Sequence, residues 1–91
     1  MTREEIRAAI VGALQRVAPE LNAAELRDDQ RLRDQIDLDS MDMLNVMIGL
    51  SERVGIDVPE GDYSRMATLD EAVRYIERRL ETRARTGPTM S

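Results

Sequence analysis

The chain of 91 residues has no cysteine, histidine, lysine, tryptophan or phenylalanine. Without cysteine there are neither disulfides nor thiolate metal sites. Without histidine, the usual general base and the commonest metal ligand are missing. Aromatic residues amount to 2%, both of them tyrosine, so a core must be built from Leu, Ile, Val, Ala and six Met. Glycine and proline are sparse between residues 1 and 18 and between 62 and 86, which favours helices over a turn-rich β fold. No apolar run approaches the length of a membrane span. "MTREEIRAAIVGAL" sets Glu4 and Glu5 before a short, charge-interrupted run, unlike a secretory signal. These absences lead us to expect one small soluble, cytoplasmic domain.

What is present is unevenly charged. The net charge is −5, but residues 34–71 hold ten acids against Arg53 and Arg65, while residues 72–91 hold two acids and five arginines. Such an acidic centre argues against binding a nucleic-acid phosphate backbone and for basic partners.

Thr2 followed by Glu5 fits a capping box for a first helix. Ile6, Ile10, Ala13, Leu14 and Val17 recur at helical spacing as far as Pro19. Residues 19–38 show no sustained period, only the isolated anchors Leu21, Leu26, Leu32 and Ile36, with Asn22 and Glu25 placed to cap a single turn. They read as a long ordered loop. A second helix runs from Ser40 to Val54 and stops at Gly55. "IDVPEGDYSRM" allows a short helix around residues 60–66, and Thr68 with Glu71 caps a last one. The predicted fold is all-α: a small antiparallel bundle of three main helices plus one short helix, over residues 1–82, then a disordered tail at 83–91.

Drawn as a wheel, residues 40–54 have two apolar stripes. Met43, Val46, Met47, Leu50 and Val54 form one; Met41, Leu44 and Ile48 form another; Asp42, Asn45, Gly49, Glu52 and Arg53 fall on a polar face. Burial on two sides, or one stripe left open for a partner, would each account for this. Ser40 lies between the stripes, in "QIDLDSMDML". As a cap, it or Asp39 would accept bonds from the first-turn N–H groups. As a calcium loop the stretch fails, because Met41, Asp42 and Ile48 fall where a ligand, the turn glycine and the closing glutamate belong. As a nucleophile Ser40 has neither histidine nor lysine to activate it, so the chain is not expected to be an enzyme. Attachment remains, since a helix N-terminus favours a phosphate group.

"DLDSMDML" resembles the modification motif of acyl carrier proteins. The likeness extends over residues 4–82 through "LRDQIDLDS", "IDVPEGDYSRMATLDEAVRYI" and the order of the helices. The resemblance implies that Ser40 carries 4′-phosphopantetheine, derived from coenzyme A, whose thiol holds acyl groups as thioesters. It implies docking through Asp37, Asp39, Met41, Asp42, Leu44 and Ile48 to a phosphopantetheinyl transferase, an acyl ligase or transferase, and ketoacyl synthase-type enzymes. It also implies an acyl-chain pocket at Val46, Met47, Leu50, Val54 and Met66, and a monomer with no resident metal, nucleic acid or membrane insertion. Asp37, Asn45, Ser51, Arg53, Val54 and Tyr63 depart from the common pattern, which points to a specialised pathway. A carrier of amino acids, or an unmodified carrier-like adaptor, would fit the same residues.

Overall fold

The computed structural model describes residues 1–86, with side chains through residue 82. It contains α1 (Arg3–Val17), α2 (Leu32–Gln35), α3 (Ser40–Val54) and α4 (Leu69–Thr86), with 3₁₀ segments at Ala23–Glu25 and Glu60–Met66. The all-α bundle is as predicted, with two corrections. The long loop includes a full helical turn, α2, and α4 continues to Thr86, so residues 83–86 are helical rather than the start of a tail. Residues 87–91 of the expected tail lie outside the described residues. Among the described residues no helix is long and apolar enough to cross a membrane.

Each long helix is bounded by local chemistry. The Thr2 hydroxyl accepts from the Glu5 N–H at 3.1 Å, and the Glu5 carboxylate accepts from the Thr2 N–H at 2.8 Å. The bond from the Thr2 N–H foremost, then the nearby Thr2 hydroxyl, holds the Glu5 carboxyl below its usual range. Thr68 and Glu71 repeat the device at α4, at 3.1 and 3.3 Å. Gly55 ends α3 with φ of 72°, a left-handed conformation that a side chain would strain.

Helix α1 packs against both α3 and α4. Ile6, Ile10, Leu14, Leu50, Leu69 and Ile76 are almost completely buried, as an aliphatic core requires. Gly49 belongs to this interior rather than to the polar face assigned by the wheel: a Cβ there would lie 3.8 Å from that of Ala13. The Arg53 guanidinium lies against Gly12 on the same crossing.

The long loop is held to the bundle by its apolar anchors and by backbone bonds. Leu26, Leu32, Ile36 and Leu38 are buried. Asn22 caps its turn by accepting from the Ala24 N–H at 3.0 Å. The Gln35 amide accepts from the Arg27 N–H at 2.7 Å and donates to the Arg27 and Gln30 carbonyls at 2.8 and 3.0 Å. The Leu32 N–H donates to the Ala67 carbonyl at 2.8 Å, and the Asp70 N–H to the Asp28 carbonyl at 3.0 Å. Loop and α4 are therefore one unit.

Candidate functional site

The start of α3 shows which residue caps the helix. Asp39 is the cap: its Oδ1 accepts from the Asp42 N–H at 2.8 Å, and Asp42 Oδ2 accepts from the Asp39 N–H at 3.3 Å. Ser40 is the first helical residue and is exposed. Among the described residues its hydroxyl has no hydrogen-bond partner. With the cap made by Asp39 to the Asp42 N–H, the Ser40 oxygen is not engaged in capping, and it lies at the end of a 15-residue helix that favours an anionic substituent.

Solvent exposure separates the two stripes of α3. Met41, Leu44 and Ile48 are 66%, 42% and 49% exposed, a row of apolar side chains running down the helix from Ser40. Asp37 and Asp39 are exposed beside it, and Asp42 is half-buried, one of its oxygens engaged in the cap. Five of the six residues expected to dock partners are thus exposed at or beside α3, and Asp42 is half-buried. Among the described residues no three His, Cys, Asp or Glu side chains gather to hold a metal ion.

The residues expected to line an acyl pocket are divided. Val46, Met47, Leu50, Val54 and Met66 are all buried. A groove of about 840 Å³ opens beside Ser40, between α2, the first turns of α3 and the 60–66 segment. Met66 borders it; Val46, Leu50 and Val54 do not, being packed into the core. Met47 borders a second, more open groove of about 660 Å³ farther along α3, and Tyr63 stands between the two. Leu32, Met43 and Leu44 supply the apolar floor of the groove at Ser40, and Arg31 and Arg33 border it.

Sequence reasoning treated Leu32 as an anchor and passed over its neighbours. The signal was the anchor itself, because a buried leucine in a charged turn leaves the flanking arginines at the surface. The groove's far wall is fixed from α4. Tyr75 donates to Asp62 Oδ2 at 2.5 Å, Arg79 donates to the Tyr75 oxygen at 2.8 Å, and Arg79 also reaches the Asp57 carbonyl at 3.3 Å. Burial, then the bond to Asp62, pushes the Tyr75 phenol above its ordinary pKa.

A family model described as "Phosphopantetheine attachment site" matches residues 4–76. The chain is 28% identical over 57 residues to an acyl carrier protein of Wolinella succinogenes, covering 63% of this chain and 75% of that one. It is 25% identical over 76 residues to an acyl carrier protein of Acidothermus cellulolyticus, covering 84% and 89%. The meromycolate extension acyl carrier protein of Mycobacterium tuberculosis is 26% identical over 78 residues, covering 86% and 67%.

Proposed function

Because this chain belongs to the acyl carrier protein family, whose prosthetic group is phosphopantetheine, we propose that Ser40 is its attachment residue and that the chain carries acyl groups from enzyme to enzyme. The observation that carries this reading is the exposed, unpartnered Ser40 hydroxyl on a turn already capped by Asp39. The residues fit the group: the oxygen is accessible, the α3 N-terminus favours a phosphodiester, and a groove lies alongside for the arm. When bound, the arm supplies the thiol on which acyl groups are held as thioesters, a chemistry this cysteine-free chain has no side chain for.

In this reading Met41, Leu44 and Ile48 form the apolar centre of a docking face, and Asp37, Asp39 and Asp42 form its acidic rim. A phosphopantetheinyl transferase, an acyl ligase or transferase and ketoacyl synthase-type enzymes meet that face in turn, with the carrier acting as a cytoplasmic monomer rather than a catalyst. Asn45 and Arg53 are exposed on α3 where the family pattern is frequently acidic, and Tyr63, where a small residue is common, borders both grooves. Both features favour a dedicated pathway over bulk fatty-acid synthesis.

The test is incubation with coenzyme A, magnesium and a broad-specificity phosphopantetheinyl transferase, followed by intact mass. The wild type gains one phosphopantetheine and Ser40→Ala gains none. No gain with several transferases would reject the assignment in favour of an unmodified adaptor. A standard ketoacyl synthase should elongate chains on this carrier more slowly than on a bulk-synthesis carrier; equal rates would remove the case for specialisation.

A further inference from the structure

The groove beside Ser40 is not uniformly apolar, and its charged groups indicate what it accepts. Its apolar lining is Leu32, Met41, Met43, Leu44 and Met66, enough for a short aliphatic chain. At its border stand Arg31 and Arg33, both exposed. Among the described residues neither guanidinium forms an ion pair or hydrogen bond. That sets them apart from Arg3, Arg7 and Arg79, which pair with Glu77, with Asp28, and with Tyr75 and the Asp57 carbonyl. Those three side chains join elements of the fold; the Arg31 and Arg33 guanidiniums, like those of Arg27 and Arg65, do not, and of these four only Arg31 and Arg33 border the groove.

Resting on the assignment of Ser40, we propose that the groove favours an acyl group ending in a carboxylate. The chain's methylenes lie on the apolar floor and its terminal carboxylate meets Arg31 and Arg33. Asp34 and Glu60 also border the groove, which lies in the acidic stretch of the chain, so no net positive field draws anions in. Neither acid lies within ion-pair distance of the two arginines. Selection is therefore short-range, through the planar guanidinium, which matches a carboxylate with two parallel hydrogen bonds. An exposed pair of this kind is weak between free molecules. Here the cargo is tethered through Ser40, and tethering by a short flexible linker raises its local concentration to the millimolar range. A weak contact then suffices to bias where the acyl end rests. A plain alkyl end gains the floor but leaves both guanidiniums in water.

The experiment loads Ser40 with adipyl or hexanoyl arms from the corresponding coenzyme A thioesters. The two are equal in carbon number and differ in the terminal carboxylate. Intact mass first confirms loading, and a chain that takes up neither arm overturns the Ser40 assignment and this proposal with it. Attack of hydroxylamine on each thioester is then timed, relative to the same thioester on free pantetheine. Backbone NMR shifts of residues 31–34 and 60–66 are recorded in parallel. The adipyl thioester should be protected over the hexanoyl one by roughly two- to fivefold, as for an exposed ion pair. Arg31→Gln with Arg33→Gln should erase that difference without changing the hexanoyl rate, and 0.5 M salt should do the same. The shifts should differ between the two cargoes at residues 31–34. Equal protection of both cargoes overturns the proposal. So does an equal effect of the substitutions on both, which would assign the arginines to the phosphodiester of the arm.

Discussion

Asp39 and Ser40 are adjacent in one turn and divide its work. Asp39 satisfies the backbone of α3, and Ser40 keeps its oxygen outward. Asp39→Ala should therefore destabilise the fold by about 1 kcal/mol, the usual worth of an N-cap. Ser40→Ala should change stability by no more than about 0.5 kcal/mol, as for a surface position without a structural partner. Urea denaturation of the two variants measures both. The reverse order would return the capping role to Ser40. Inside the bundle the scale is larger: Leu50, 1% exposed, should cost about 2–5 kcal/mol as Leu50→Ala.

At the scale of elements, boundaries set by neighbouring residues were legible in the sequence. Thr2 with Glu5, Thr68 with Glu71 and the stop at Gly55 each rest on contacts within a few positions. The short segment at 60–66 was placed from its proline, glycine and few apolar residues, and it is a 3₁₀ helix. The turn at α2 was not legible. It is fastened by Gln35 to Arg27 and Gln30 and by Leu32 to Ala67, partners that no local pattern announces. Gly49 was assigned to a polar face because a wheel shows angle and not which neighbour approaches. The site was partly legible: Ser40 and the open stripe were, while the groove and its arginines depended on where α2 and the 60–66 segment meet. That segment is pinned by Tyr75. Tyr75→Phe should cost about 1 kcal/mol through the lost bond to Asp62. Hydrogen exchange should rise locally at residues 60–66 beyond any change in α1. A uniform rise would mean that the bond supports the whole bundle instead.

For the molecule as a whole, α1 is the common partner of α3 and α4, and two ion pairs hold its outer face. Arg7 Nη2 lies 2.8 Å from Asp28, and Arg3 Nε lies 3.0 Å from Glu77. The hydrogen bonds from these arginines hold both carboxyls below their ordinary values of 3.8 and 4.5. A carboxylate whose folded pKa is depressed stabilises the fold above its unfolded pKa, and that contribution is lost as pH falls through the folded one. Thermal stability from these pairs should thus be constant from neutral pH down to about pH 5 and decline below pH 4. The variant combining Asp28→Asn with Glu77→Gln should start slightly less stable and lose less on acidification. Both pairs are substantially solvated, so the effect is small and high salt should reduce it.

The two tyrosines also make the molecule its own optical probe. With no tryptophan, all of its near-ultraviolet emission comes from Tyr63 and Tyr75. Tyr75 donates its proton to a carboxylate, an arrangement that quenches a phenol's fluorescence, while Tyr63 borders both grooves on α3. The light that this protein emits therefore comes mostly from the wall of the space beside Ser40. Whatever enters that space should change it, with no label attached.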